Sequence, residues 1–298
     1  MPLHPQAQAW LDAAAAGGLR PYQELGVEEA RRLVDGNALD LFGRLEPVAA
    51  VEEVDAGGVP ARVYRPTGGE GGALVWMHGG GWVIGSLASH DPLCRALAAR
   101  SGRTVVAPDY RLAPEHPHPA AVDDSWAATS WAASEFDRVA VGGDSAGGHL
   151  AAVVALRARD RGLPLQLQVL VVPVTDCSFA TSSYAENGSG YGLERATMEW
   201  FWNLYVPGLA GAADPEVSPL RAPDLAGVAP ALVLTAEYDP LRDEGEAYAT
   251  RLREAGVSVE HTRYDGMVHG FLRMPAVLDR AGVAIDRVAR RVREMLSS

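Results

Sequence analysis

The sequence contains no lysine, so all 26 of its basic residues are arginine. A P-loop nucleotide site ends in Gly-Lys-Ser/Thr, and the missing lysine therefore excludes one. Acidic residues number 38, which gives the chain a net charge of −12. This excess of negative charge opposes a general attraction to nucleic acid or to an anionic membrane surface, so we expect neither as a partner.

Cysteines and long apolar runs are scarce as well. Only Cys94 and Cys177 are present, too few for a disulfide framework and too far apart for a metal knuckle, so we expect buried or idle thiols. The N-terminus lacks the positive region and apolar core of a signal peptide, and no run of about 18 apolar residues follows. We therefore expect a soluble, cytoplasmic protein.

A chain of 298 residues with 48% hydrophobic residues is long enough for one α/β catalytic domain with an insertion. Apolar strand-like runs alternate with helical patterns, which is typical of a mostly parallel sheet covered by helices on both faces. We predict an antiparallel strand pair at 48–54 and 61–64, then strands at 73–77, 104–107, 138–141, 165–172, 231–236 and 257–263, with helices at 90–100, 120–133, 146–161, 241–255 and 275–296.

Two stretches do not follow this alternation. Residues 6–43 read as short helices at 11–16 and 27–35 with interleaved Glu and Arg, which favours a flexible lid over a core segment. Residues 179–213 contain a glycine-rich turn and an aromatic run, and we interpret them as a second lid element inserted between strands.

A serine between small residues forms the most informative motif of the sequence. Ser145 lies in Gly143-Asp144-Ser145-Ala146-Gly147-Gly148, between the predicted strand at 138–141 and the predicted helix at 146–161. This is the G-x-S-x-G nucleophile elbow, in which a sharp strand-to-helix turn exposes the serine hydroxyl. The pattern predicts a nucleophilic serine.

A glycine-rich loop, His78-Gly79-Gly80-Gly81-Trp82, directly follows the strand at 73–77. Glycines allow a backbone to turn its N–H groups toward one point, as a tetrahedral oxyanion requires. The alternative is a dinucleotide fingerprint, but three residues separate Gly81 from Gly85 where that fingerprint has two. We therefore favour an oxyanion-binding loop.

An activated serine needs a base and an orienting carboxylate, which follow it in the chain order acid, then histidine. His261 lies inside the last predicted strand, whereas His269 follows it in a glycine-flanked loop that can reach the elbow. Asp239 ends a strand-to-helix loop, whereas Asp243 and Glu244 already lie on the helix. Because ligands bind at the carboxyl ends of such strands, we choose His269 and Asp239.

Three other histidines are interpreted as structural residues and not as catalytic or metal-binding ones. His149, one helical turn past Ser145, is predicted to be a buried helix residue. His116 and His118 alternate with prolines and have no further clustered ligands, so they indicate a turn and not a metal pair. We predict no metal site.

Five motifs occur in one order from about residue 63 onward, and together they resemble the hormone-sensitive-lipase family of bacterial esterases, in the branch with Gly-Asp-Ser-Ala-Gly. They lie at 78–81, 109–115, 143–148, 237–243 and 269–271. The resemblance implies an α/β-hydrolase fold whose helical cap covers 1–45 and 178–215 and whose core covers 46–177 and 216–298.

The same resemblance implies hydrolysis of short to medium acyl esters without a cofactor. It implies a triad of Ser145, His269 and Asp239, and it implies an oxyanion hole made by the N–H groups of Gly79, Gly80 and Ala146. The expected partner is a small-molecule ester, and we expect a monomer or a homodimer.

The pocket wall and the reaction class leave alternatives open. Trp82, Tyr191 and Trp202 are candidates for the wall, although such aromatics are more often core residues. An amide hydrolase of the arylformamidase type would share loop, elbow and triad. A non-catalytic binding module on the same fold is expected to have lost a triad member, and all three are present here.

Overall fold

The computed structural model describes residues 2–18, 20–69, 71–209 and 211–297. Met1, Leu19 and Ala210 of the predicted cap, and Glu70 and Ser298 of the predicted core, lie outside the described residues. Within these ranges an eight-stranded sheet has the order β1-β2-β4-β3-β5-β6-β7-β8, parallel from β4 onward. The strands are β1 Ala50–Asp55, β2 Pro60–Arg65, β3 Ala73–Met77, β4 Thr104–Pro108, β5 Val139–Asp144, β6 Leu167–Val171, β7 Ala231–Tyr238 and β8 Val259–Val268.

The four central strands, β3 to β6, are buried along their whole length. Parallel sheets are covered on both faces, which explains why these strands are near-continuous apolar runs and not alternating ones. The predicted α/β-hydrolase fold with its mostly parallel sheet is confirmed. The largest difference in a strand boundary is at the end of β8. The sequence predicts an end at 263, but the strand continues to Val268 beside β7, across an irregularity in the register.

Helices cover both faces of the sheet. One apolar cluster joins Val75 and Met77 to the helices Ala120–Glu135, Ala146–Arg161 and Arg242–Glu254, and the other joins Leu74 and Trp76 to the helices Leu87–Ser101 and Asp279–Met295. This alternation follows from the period of two in a strand. The helices are α1 Pro5–Ala16, α2 Tyr22–Leu25, α3 Val27–Gly36, α4 Ala38–Phe42, α5 Leu87–Ser101, α6 Ala120–Glu135, α7 Ala146–Arg161, α8 Ser182–Asn187, α9 Arg195–Tyr205, α10 Arg242–Glu254 and α11 Asp279–Met295.

The N-terminal segment is packed more closely than the sequence indicated. Ala30 and Val34 of α3 are buried in the same apolar cluster as Phe201 of α9. The expectation of a lid without core residues is therefore corrected, because the short apolar side chains one turn apart on α3 point inward despite the charged residues between them. The division of the chain into cap and core stays a prediction. In the part of the chain that the structure describes, no helix has the length and apolar character needed to cross a membrane.

Candidate active site

Ser145 makes the turn between β5 and α7 by itself, because β5 ends at Asp144 and α7 begins at Ala146. Its backbone has φ 57° and ψ −119°, a region that residues with a side chain rarely adopt. A Cβ atom on Gly147 would overlap the carbonyl of Met77, and one on Gly143 would overlap Gly147. These glycines therefore allow strand and helix to meet closely enough to hold the serine in this strained turn.

The structure brings Ser145, His269 and Asp239 together. His269 Nε2 lies 2.9 Å from Ser145 Oγ, and its Nδ1 lies 2.8 Å from Asp239 Oδ2. Asp239 is fully buried, and its other oxygen accepts a hydrogen bond from the backbone N–H of Leu241 at 2.8 Å. The carboxylate thus has one oxygen fixed by the chain and the other directed at the imidazole. Chemically, this arrangement can move a proton from Ser145 to His269.

The other candidate base lies elsewhere. His261 is inside β8, where its Nε2 lies 3.1 Å from Thr235 Oγ1 and 3.9 Å from Glu246. His269 directly follows the last residue of β8, so the glycine-flanked loop predicted around it is shorter than expected. Asp239 likewise directly follows β7.

Gly79, predicted as an oxyanion donor, has its N–H engaged with another residue. It donates to His90 Nε2 at 3.2 Å. We therefore correct this expectation, because an N–H that points at His90 is not free to bind an oxyanion. The sequence offers no local signal for the contact, since His90 comes from α5, beyond the end of the loop.

The next two peptide groups of the loop are fixed through their carbonyls. Gly79 O lies 2.8 Å from His78 Nδ1, and Gly80 O accepts from the N–H groups of Val83 and Ile84 at 3.1 and 2.9 Å. In a trans peptide the N–H points opposite to the C=O. The N–H groups of Gly80 and Gly81 are therefore directed away from these partners, and both residues line the cavity that contains Ser145.

The same reasoning applies to Ala146. The carbonyl of Ser145 accepts from the N–H of His149 at 3.0 Å, along the axis of α7. The N–H of Ala146, in the same peptide group, points the opposite way, out of the N-terminal end of the helix. The N–H groups of Gly80, Gly81 and Ala146 are thus candidate donors to a negatively charged oxygen near Ser145.

Buried ionisable groups surround this loop. Burial lowers the pKa of His78 to about 3 and that of His149 to about 3, and it also lowers the pKa of His90, so all three imidazoles are neutral at pH 7. Burial alone raises the pKa of Asp144, but at the low pH where this carboxyl titrates, positive charge on His90, Arg273 and His78 outweighs burial and lowers that pKa to about 2. The residue before the nucleophile therefore carries a negative charge.

A cavity of about 330 Å³ opens above Ser145 and His269. Its walls are mostly apolar and come largely from the N-terminal helices and α9. The side chains facing it include those of Leu11, Tyr22, Val34, Met198, Phe201 and Met274.

The three aromatic residues predicted as pocket wall are not among the residues that line this cavity. Trp82 is fully buried and stacks on Tyr205 with 4.3 Å between ring centroids, and Trp202 is fully buried too. Tyr191 packs against Tyr238 at 4.9 Å. This prediction is corrected: on α9, Phe201 faces the cavity while the adjacent Trp202 faces the core.

Comparison with known proteins shows the family to which the chain belongs. Residues 74–273 match the family described as alpha/beta hydrolase fold, and the chain belongs to that family. The resemblance to its hormone-sensitive-lipase type is confirmed.

Relatives with established names cover nearly the whole chain. An ethyl acetate hydrolase of Pseudomonas putida is 37% identical over 99% of this chain and 100% of its own length. The carboxylesterase NlhH of Mycobacterium tuberculosis is 42% identical over 88% of this chain and 87% of its own length. Among solved structures, a hyperthermophilic esterase from the archaeon Pyrobaculum calidifontis is similar with a TM-score of 0.92 and 40% identity, covering 100% of both chains.

Proposed function

We propose that the protein is a serine carboxylesterase that hydrolyses short to medium acyl esters. The observation that carries the proposal is the continuous chain of contacts from Asp239 through His269 to Ser145, at 2.8 and 2.9 Å, of which His269 and Ser145 line an apolar cavity. The names of the relatives, an ethyl acetate hydrolase and a carboxylesterase among them, support the same reaction class.

In this mechanism Ser145 Oγ attacks the ester carbonyl while His269 Nε2 takes its proton. Asp239 keeps the other ring proton on Nδ1 and stabilises the imidazolium that forms. The tetrahedral oxyanion accepts hydrogen bonds from the N–H groups of Gly80, Gly81 and Ala146. His269 then protonates the leaving alcohol, and a water molecule, activated by the same imidazole, hydrolyses the acyl-enzyme.

The cavity supports a preference for small acyl groups. About 330 Å³ is at the small end of the range for ligand pockets. Its walls include Leu11, Tyr22 and Val34 from the N-terminal helices and Phe201 from α9, so the acyl chain lies beneath these segments and not along an open surface. Long acyl chains are therefore expected to fit poorly.

The test is a hydrolysis series with p-nitrophenyl esters from acetate to palmitate and with the matching p-nitroanilides. We expect the highest kcat/KM on the short esters, little turnover of anilides, and no increase in rate when a long ester forms an emulsion. Ser145→Ala is the control, since it removes the nucleophile alone. Faster turnover of the anilides would indicate an amide hydrolase, and ligand binding without any turnover would indicate a binding module; either result would overturn the proposal.

A further inference from the structure

The donor segment Gly80–Gly81 has a hydrogen-bonded anchor on each side. Before it, the N–H of Gly79 donates to His90 Nε2 at 3.2 Å. After it, the indole N–H of Trp82 donates to His149 Nδ1 at 3.2 Å. We propose that His90 and His149 are positioning residues that hold the oxyanion-binding N–H groups at a fixed distance from Ser145. This inference rests on the proposed ester hydrolysis.

His90, a residue of α5, supports the first end of the loop. A peptide N–H can only donate, so the ring of His90 accepts at Nε2 and carries its proton on Nδ1, which lies 3.0 Å from Ser89 Oγ. Arg273 Nη1 is a second donor group at 3.4 Å from Nε2, and Asp144 Oδ1 lies 3.3 Å from the same atom. One imidazole therefore contacts the oxyanion loop, the residue before the nucleophile and the segment that follows His269.

His149, a residue of α7 one turn after Ser145, supports the other end of the loop. The indole N–H also can only donate, so His149 accepts at Nδ1 and donates from Nε2 to the carbonyl of Val217 at 3.1 Å. Its ring is thus fixed at both nitrogens. Because the backbone N–H of His149 donates to the carbonyl of Ser145 at 3.0 Å, this bond relates the end of the loop directly to the nucleophile.

Trp82 needs such an anchor, because its backbone has φ 60°, a strained value for a bulky side chain. The ring is held by stacking on Tyr205, with 4.3 Å between centroids and 7° between planes, and by the bond to His149. Without the bond, the loop can relax toward an unstrained backbone. Gly81, the adjacent donor, would then move with it.

Neither histidine is placed to touch a substrate in the cavity. His149 is fully buried and His90 is 1% exposed, and neither lines the cavity. Their effect therefore acts through the donor positions, which matter most when the oxyanion forms. A displacement of about 1 Å in such a group can lower the rate by about 10²-fold, so the loss should appear in kcat and leave KM almost unchanged.

The experiment uses amide side chains as matched and mismatched replacements. The carbonyl oxygen of glutamine can take the place of the histidine Nε2 atom, and that of asparagine the place of Nδ1. We expect His90→Leu and His149→Leu to lower kcat by about 10-fold or more. His90→Gln and His149→Asn should restore most of it, whereas the swapped His90→Asn and His149→Gln should not.

Two further measurements separate positioning from general damage. His261→Leu, a histidine replacement on β8 away from the loop, should keep wild-type kcat, and circular dichroism should show that all variants compared are folded. A trifluoromethyl ketone, which forms a tetrahedral adduct with the serine, should inhibit the leucine variants more weakly, while a ground-state substrate analogue binds them equally well.

The outcomes are distinct. Unchanged kcat in folded leucine variants would overturn the inference, and so would equal rescue by matched and swapped amides, which would show that any polar group suffices. If a leucine variant does not fold, the comparison of matched with swapped amide variants still tests the inference. A wild-type protein that hydrolyses no ester would instead refute the proposed function.

Discussion

Gly81 packs directly against the ring of Phe201, so closely that a Cβ atom on Gly81 would overlap the ring. The backbone of Gly81 has φ 58°, which glycine adopts without strain. The glycine-rich loop and the apolar wall of the cavity therefore constrain each other at this contact. In the proposed mechanism, this pair of residues links substrate size to the stabilisation of the transition state.

This contact predicts that Gly81→Ala lowers kcat/KM by about 10² or more, comparable to the loss of an oxyanion donor. The double variant Gly81→Ala/Phe201→Ala should recover part of that loss because the ring no longer meets the new methyl group. Steady-state kinetics on p-nitrophenyl acetate measures both. If the double variant is no more active than Gly81→Ala, steric overlap with Phe201 is not the cause.

The contact between Asp239 and His269 gives a second prediction. Asp239→Asn should lower kcat by about 10⁴-fold, because an amide no longer holds the His269 proton on Nδ1. Asp243→Asn is the matched control, since Asp243 lies on α10 and accepts from the N–H of Ser183 instead. Equal losses in the two variants would argue against the assignment of Asp239.

Buried neutral histidines predict a loss of stability in acid. The pKa of His149 is lowered to about 3 in the folded protein, against about 6.5 when unfolded. The unfolded chain therefore binds a proton that the folded protein does not, and stability falls as the pH drops from about 6.5 toward 3, by about 1.4 kcal/mol per unit for each such histidine.

Urea unfolding of the wild type and of His149→Asn between pH 4.5 and 7.5 measures this effect. Asparagine keeps an acceptor for Trp82 but does not titrate, so its free energy of unfolding should depend less steeply on pH. Parallel curves for the two proteins would show that His149 does not contribute.

Glu244 predicts the opposite dependence on pH. Burial raises the pKa of its carboxyl, which accepts from the N–H groups of Thr175 and Asp176 at 2.7 and 3.2 Å. A raised pKa favours the folded state at low pH, and this contribution is lost as the pH rises above the value of about 4.3 for an unfolded glutamate. Glu244→Gln keeps an acceptor and removes the titration.

The stability of Glu244→Gln relative to the wild type should therefore increase from pH 4.5 to pH 7.5. Differential scanning calorimetry of both proteins across this range gives the comparison as a difference in Tm. A constant difference would mean that the pKa of Glu244 is the same in the folded and the unfolded protein.

The sequence predicted best what local chemistry determines. The strand Ala73–Met77 and the helix Ala146–Arg161 were predicted to the residue, because a buried apolar run and the glycine-bounded elbow mark their ends. The end of β8 was placed too early, since Asp265 and Gly266 resemble loop residues. Pairing with β7 across an irregular register extends the strand through them.

The sequence could not predict the directions in which backbone N–H groups and aromatic side chains point. The glycines of the loop indicate that N–H groups can turn inward, but only the approach of His90 shows that Gly79 turns outward. Aromatic composition likewise does not reveal which ring faces a cavity. Trp202 and Phe201 are neighbours on one helix and face different environments, because the helix rotates each residue by about 100°.

The positions of Ser145 and His269 along the sheet have a consequence for folding. Ser145 follows β5 and His269 follows β8, with β6 and β7 between them, so their 2.9 Å contact exists only when all four strands are paired in register. A partly ordered chain that has formed the β3–β5 centre holds a serine but no base. Only completely folded molecules therefore hydrolyse esters. During refolding, this activity should return later than the bulk of the secondary structure.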